Sequence, residues 1–343
     1  MATSEASFKL DPGSVLAYCC NVSRDVLKRP DGGALKNFHG IYSQSPQMEK
    51  VFRLIERVAR TDCTVLIRGE SGSGKELVAR AIHDLSARAS RPFRAINCAT
   101  LSPTLLQSEL VGHRRGAFTG AVSDHDGLFK QADTGTLFLD EVAEMPLDIQ
   151  AHLLRVLEDQ SFIPLGGALP VKVDVRLLSA SNKALRREVE EGRFRDDLRY
   201  RIRVVPLFLP ALRDRSGDVE ALLWHFIDEF NREAVRRVER LSATARDAIL
   251  AYEWPGNVRE LRNVVQHAFV IGDGPVLDLA DLTPELRGEA PPGVAPVASL
   301  GAAERRRIVA ALEASNGRKA VAAKALGMSR STLWRKIREH GLR

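Results

Sequence analysis

Thr64-Val65-Leu66-Ile67-Arg68-Gly69-Glu70-Ser71-Gly72-Ser73-Gly74-Lys75-Glu76-Leu77-Val78-Ala79-Arg80-Ala81-Ile82 reads as a strand, a glycine-rich turn and a helix in immediate succession. Thr64–Ile67 is a β-branched apolar run of the kind that forms a buried strand. Glu76–Ile82 has helix-forming composition. Between them, glycines let the backbone wrap phosphate oxygens so that N–H groups converge at a helix N-terminus. Gly69, Gly74 and Lys75 satisfy the G-x-x-x-x-G-K spacing, with Lys75 placed to reach β- and γ-phosphates. The position after Lys75, often Ser or Thr, is Glu76. A metal-ligating hydroxyl is missing there, so Mg²⁺ depends more on carboxylates elsewhere.

Thr136-Leu137-Phe138-Leu139-Asp140-Glu141 is an apolar strand ending in two acids. A carboxylate at the C-terminal end of such a strand enters the ligand crevice of an open α/β sheet. Asp140 is expected to hold Mg²⁺ and Glu141 to polarise the attacking water. Between the two elements lies Gly116-Ala117-Phe118-Thr119-Gly120-Ala121, an apolar hexapeptide that no nucleotide site needs. The combination reads as a motor that hydrolyses nucleotide and presents a small apolar tip to something else.

The chain has 343 residues, 44% hydrophobic and 27% charged, enough for two or three domains. No apolar run approaches membrane-spanning length and no signal-peptide pattern opens the chain. Cys19, Cys20, Cys63 and Cys98 lack zinc-ligand or disulfide spacing, as expected of reduced thiols in the cytoplasm. Residues 299–343 carry 11 Lys/Arg against 3 Asp/Glu, a net of +8. The remaining 298 residues hold 39 Lys/Arg and 41 Asp/Glu, a net of −2. The basic excess is thus confined to one small C-terminal segment, the footprint of a nucleic-acid-binding domain.

Strands alternate with helices to about residue 206, which implies a mostly parallel sheet flanked by helices. Phe162–Val171 reads as a small hairpin excursion, and Val173–Ala180 as a further buried strand. Beyond Pro206 and Pro210, Val219–Val235, Ala243–Tyr252 and Asn257–Val270 read as an all-helical subdomain. Residues 281–298, with four prolines and two glycines, read as a linker. In the last segment, Lys319–Leu326 and Arg330–Glu339 are two short helices about Gly327 and Ser329. A basic second helix in this arrangement reads as a helix-turn-helix, with Ala322, Ala323, Leu326, Leu333 and Ile337 as its core. Arg330, Ser331, Thr332, Arg335 and Lys336 are the expected contacts to double-stranded DNA. The domains expected are a short arm (1–38) without a sensory domain, an α/β unit (39–206), a helical lid (207–280), the linker (281–298) and the DNA-binding domain (299–343).

Over roughly residues 38–343 the chain resembles the bacterial enhancer-binding proteins, AAA+ activators of sigma-54 RNA polymerase with a Fis-type helix-turn-helix. The resemblance rests above all on Gly116–Ala121, which in that family is the tip of a loop that contacts sigma-54. It rests also on Gly69–Glu76, on Asp140–Pro146 and on Trp254–Leu261. Glutamate after the lysine is common in the family, so Glu76 is no sign of a dead site. The resemblance implies ATP with Mg²⁺ and a homo-oligomeric ring, six subunits in the family. It implies that Asn97 is the switch that holds Glu141 away from water, that Asn182 is sensor I and that Arg259 is sensor II. Arg195 and Arg201 match trans-acting arginines, whereas Arg193 and Arg199 read as a solvated basic face. Thr134 and Ser181 depart from the expected glycine and threonine. With no receiver or GAF domain expected in 1–38, control would be constitutive or exerted by a separate regulatory protein. The competing reading is a DNA-binding regulator with a vestigial ATPase that acts independently of sigma-54.

Overall fold

The computed structural model describes residues 26–28, 35–289 and five later positions, Leu312, Lys319, Ala322, Leu326 and Leu333. The chain forms two compact units, residues 1–281 and 282–343.

The first unit opens with β1 (Val26–Lys28), β2 (Lys36–Phe38) and β3 (Ile41–Ser43). Helix α1 (Pro46–Ala59) follows; Ser45 Oγ accepts from Gln47 N–H at its N-terminus, and proline occupies the first helical position. Met48, Val51, Phe52, Ile55 and Val58 recur at helical spacing and are buried. Next come β4 (Val65–Arg68), α2 (Lys75–Asp84), β5 (Phe93–Asn97) and α3 (Pro103–Val111). The hexapeptide lies between β6 (Gly112–His113) and β7 (His125–Asp126), which pair antiparallel. Then follow α4 (Leu128–Gln131), β8 (Thr136–Asp140), α5 (Leu147–Asp159), β9 (Ser161–Phe162), β10 (Val171–Lys172), β11 (Arg176–Ser181), α6 (Leu185–Glu190), α7 (Asp196–Ile202) and β12 (Val205–Phe208). The lid holds α8 (Asp218–Glu233), β13 (Arg240–Ser242), α9 (Ala243–Ala251), α10 (Asn257–Ile271) and β14 (Val276–Leu277).

Five strands form one parallel sheet in the order β12-β4-β11-β8-β5. Side chains alternate across it. Leu66, Leu137, Leu139 and Leu177 face Leu106, Phe129, Ile149 and Leu153 in one core. Val65, Ile67, Phe138 and Leu178 face Phe52, Ile55, Val78 and Ile82 in the other. Both faces are covered, which is why the central strands read as continuous apolar runs. Because the strands are parallel, their C-terminal ends, carrying Gly69, Asn97, Asp140 and Asn182, share one edge.

The structure corrects the expected organisation in three places. The sheet has a fifth strand, β12, which runs across the expected boundary at 206; Pro206 is tolerated because β12 is an edge strand. The lid is not all-helical: β13 pairs parallel with β14 and antiparallel with β1. Strands of two or three residues carry no readable period. The arm therefore contributes β1 to the lid sheet, and β2 pairs with β3 while Phe38 stacks on Phe52. Thr134, where glycine was expected, adopts φ +64 and donates its N–H to Asp174 O at 2.8 Å.

In the second unit, Leu286 and Arg287 both donate backbone N–H to Thr283 O, so the start of the expected linker is turned rather than extended. Leu312, Lys319, Ala322 and Leu333 are helical; Ala322 and Leu333 are buried, and Leu326 N–H donates to Ala322 O at 3.0 Å. Arg330, Ser331, Thr332, Arg335 and Lys336, the expected DNA contacts, lie outside the described residues, as do Ala323 and Ile337.

Candidate nucleotide site and output loop

Gly74 ends the loop at φ +102 and leaves the first turn of α2 without a side-chain cap, so its N–H groups are open to an anion. Lys75 is 6% exposed and its ammonium donates to Gly69 O at 3.2 Å and to Glu141 Oε1 at 3.0 Å. Glu141 Oε2 accepts the Asn182 backbone N–H at 3.1 Å. Glu141 has φ +49, an uncommon backbone conformation for a side chain of this size. Asp140 is half-buried, and burial, followed by the charge of Glu141, raises its pKa. The same burial and the two carboxylates push the neighbouring Cys98 thiol up to about 12, so it is inert.

Asn97 departs from its expected partner. Its Nδ2 donates to Asp140 Oδ2 at 3.3 Å, and Glu141 is held instead by Lys75 and Asn182. The cause is register: β5 and β8 align Asn97 with Asp140.

Ser71–Glu76, Asn97, Asp140, Glu141 and Arg259 line a cleft of about 540 Å³; Asn182 does not line it and meets the site through its N–H on Glu141. Gly69 and Glu70 do not line it: Gly69 O accepts from Lys75, and the Glu70 carboxylate is held by Arg213 and Asn257. Sequence reading missed the far end of the cleft, built by Ile41, Tyr42, His225 and Phe226. Tyr42 and His225 are in ring contact at 3.9 Å. It also missed Arg215, which is 3% exposed, lines the cleft and donates to Ser73 O at 2.8 Å. Burial, opposed by the charge of Asp218, lowers its pKa to about 10. The one local signal is the basic triplet Arg213-Asp214-Arg215 after Pro210, which by itself looks like a solvated turn.

Arg195 and Arg201 are not brought to this cleft. Arg195 makes two bonds to Asp197, at 3.1 and 2.7 Å, and Arg201 donates to Leu157 O at 2.8 Å. Arg193 and Arg199 are paired rather than freely solvated: Arg193 grips Glu188 and Glu191, and Arg199 bridges to Asp196.

The hexapeptide closes on itself. Gly116 N–H donates to Ala121 O at 2.8 Å, and Ala121 N–H donates to Phe118 O at 3.0 Å. Gly116 and Gly120 have φ of +82 and +106, which glycine adopts freely. Thr119 is exposed. Phe118 is not a free apolar tip: it is half-buried, with its ring edge-on to His113 at 5.0 Å. The β9–β10 excursion braces the base, where Arg114 N–H donates to Leu165 O at 2.9 Å and Leu165 N–H donates to Gly112 O at 3.0 Å.

Comparison with known proteins agrees with this geometry. Residues 41–208 match the Sigma-54 interaction domain, 213–298 the AAA+ ATPase lid domain and 299–340 the Bacterial regulatory protein, Fis family. The chain is 46% identical to the nitrogen fixation protein AnfA of Azotobacter vinelandii, over 88% of this chain and 57% of AnfA. It is 44% identical to the regulatory protein AtoC of Escherichia coli, over 88% of this chain and 68% of AtoC. It is 40% identical to the DNA-binding transcriptional regulator NtrC of Rhizobium meliloti, over 88% of this chain and 70% of that protein. NtrX from Brucella abortus, solved in complex with ATP, superposes with a TM-score of 0.66 at 36% identity, covering 88% of this chain and 69% of NtrX. The chain therefore spans little more than half of some relatives and about two thirds of others. It belongs to the family of sigma-54-dependent transcription activators, with an AAA+ ATPase, its lid and a Fis-type helix-turn-helix in that order.

Proposed function

We propose that the protein binds upstream DNA through residues 299–343, assembles into a ring, most simply of six subunits, and uses ATP hydrolysis to open the closed sigma-54 polymerase–promoter complex. Thr119 and the hexapeptide around it deliver the output. The observation that carries the reading is a continuous path from site to loop. Asn97, hydrogen-bonded to Asp140, ends β5; Thr100 Oγ1 donates back to Asn97 O at 3.0 Å; and α3 then runs directly into β6 and the hexapeptide. A change at the carboxylates thus has a short mechanical route to Thr119.

Lys75 and the loop N–H groups orient the phosphates, Glu141 polarises the attacking water, and Arg259 faces the cleft from the lid. The half-buried Asp140, crowded by Glu141, would hold Mg²⁺, which would supply charge neutralisation to the bound phosphates. Arg195 and Arg201, directed away from their own cleft, suit action on a neighbouring subunit. The protein acts in the cytoplasm with its DNA and polymerase; among the described residues no helix is long and apolar enough to cross a membrane. The intact hexapeptide and the grouping of Lys75, Asp140 and Glu141 favour this reading over a sigma-54-independent regulator.

Open-complex formation by sigma-54 polymerase on a promoter with the protein's upstream site tests it, with ATP and with a non-hydrolysable analogue. Hydrolysis-dependent opening is expected. Truncation after residue 298 should keep ATPase activity and lose site-specific DNA binding. Activation of an ordinary promoter without ATP would refute it.

A further inference from the structure

A loop whose N–H groups cradle phosphate turns its carbonyls the other way. Here three successive carbonyls are capped from outside the loop. Ser71 O accepts from Asn257 Nδ2 at 3.0 Å, Gly72 O from the Arg259 backbone N–H at 3.4 Å, and Ser73 O from Arg215 Nη2 at 2.8 Å. Asn257 and Arg259 stand on the first turn of α10, in the lid. Arg215 follows the short helical turn Leu212–Asp214 that leads into the lid.

Asn257 is fully buried at φ +52. Its amide is spent on this junction: Oδ1 accepts from Leu212 N–H at 2.8 Å, and Nδ2 also donates to Glu70 Oε2 at 3.1 Å. Arg213 holds the same Glu70 carboxylate through two bonds, at 3.0 and 2.6 Å. Arg213 and then Asn257 keep that carboxyl below its ordinary pKa, so it is an anion at neutral pH. Contact is close enough that a Cβ on Gly72 would overlap Gly256 O. Arg215 is anchored by a second bond, Nε to Pro210 O at 3.0 Å. Its guanidinium is a fixed positive charge held against the loop at Ser73 O and buried, where water screens it little.

We propose that Asn257 and Arg215 are positioning residues of the phosphate loop, which set its shape from the lid side and tie the affinity for the β- and γ-phosphates to the seating of the lid. The inference rests on the nucleotide-site reading above and adds residues that touch the loop's outer face. A purely structural role would lower stability and the affinity for every nucleotide together. A positioning role acts selectively on nucleotides whose phosphates occupy the loop.

The test uses the full chain and fluorescent analogues of ATP and AMP, with thermal unfolding alongside. Asn257→Asp keeps the size and the acceptor for Leu212 but removes the donors to Ser71 O and Glu70. Arg215→Gln keeps hydrogen-bonding capacity and removes the charge. Each should raise the Kd for ATP by about tenfold or more while AMP stays within about twofold. Arg215→Lys, and Glu70→Gln placed in the Asn257→Asp background, should recover part of the loss. If Asn257→Asp does not fold, the two Arg215 variants decide. Equal losses for ATP and AMP, or no loss for either, overturn the proposal provided that Lys75→Ala still weakens ATP binding. If Lys75→Ala also binds ATP as the unaltered chain does, the nucleotide-site reading itself has failed.

Discussion

Lys75 Nζ lies 3.0 Å from Glu141 Oε1, so the cation meant for phosphate and the carboxylate meant for water are one another's partners. Both side chains are largely buried, and the second oxygen of Glu141 is tied to the Asn182 N–H. On the proposed reading, a phosphate seated on the loop would compete for Lys75 and withdraw the cation from Glu141. Substrate binding and activation of the base would then be linked through one ammonium group.

The two residues should consequently fail in different ways. Lys75→Ala should weaken ATP binding. Glu141→Gln keeps the shape and an acceptor for the Asn182 N–H but cannot polarise water as a carboxylate does. It should bind ATP and lose about 10²–10⁴-fold in turnover. Nucleotide titration and phosphate release read the two effects separately. Hydrolysis by Glu141→Gln at the unaltered rate would remove Glu141 from the catalytic role.

Activity should also depend on assembly. Arg195 is held by Asp197 and Arg201 by Leu157 O, and neither lines its own subunit's cleft. An arginine supplied by a neighbour is worth on the order of 10³-fold or more in phosphoryl transfer. ATPase activity per protomer should therefore climb with protein concentration. Arg195→Ala and Arg201→Ala should bind ATP and hydrolyse it slowly at every concentration. A specific rate that stays constant down to dilute monomer would contradict this.

What could be read in the sequence follows from how local each signal is. The phosphate loop, Asp140-Glu141 and the hexapeptide are contiguous strings whose chemistry is fixed by near neighbours. Asn97 was identifiable as a site residue, but its partner was not, because pairing Asn97 with Asp140 is a matter of register between β5 and β8. Tyr42, His225 and Arg215 reach the cleft, and Asn257 the outer face of the loop, from segments far from the loop in sequence, and the first three each look like an ordinary surface or turn residue where they stand. The β1–β13–β14 sheet was invisible because its strands are too short to show alternation.

Folding stability should decline on mild acidification through His83. The ring is buried on α2, with Nδ1 2.9 Å from Thr136 Oγ1, and burial lowers its pKa below the ordinary 6.5. Asp84 opposes that shift, while Arg80 and Arg176 reinforce it. The unfolded chain takes up the proton near 6.5 and the folded chain resists it, so the unfolded state binds more protons in the window below that value. Stability is lost as pH falls from 6.5 towards the folded pKa, by at most about 1.4 kcal/mol per pH unit from this group. Urea melts at about pH 7.5, 6.5 and 5.5 should show a shallower decline for His83→Gln. Equal pH slopes for the two proteins would assign the decline to other groups.

Thr119 carries the sharpest prediction. It is exposed between Phe118, whose ring rests on His113, and Gly120 at φ +106. The loop is closed by the Gly116–Ala121 hydrogen bond and braced through Leu165, so it keeps its form without the Thr119 side chain. Replacing an exposed threonine by alanine here should change stability by no more than about 0.5 kcal/mol. The residue is also absent from the cleft, so hydrolysis has no direct need of it. Thr119→Ala should hydrolyse ATP and bind DNA normally, yet fail to engage sigma-54 and to form open complexes. The decisive comparison is sigma-54 binding in the presence of a transition-state nucleotide analogue, where the path from Asp140 through Asn97 and α3 should have its largest effect on the loop. If Thr119→Ala binds sigma-54 and activates as the unaltered protein does, the hexapeptide is not the output element. The reading as a regulator independent of sigma-54 would then account better for a loop that carries no contact.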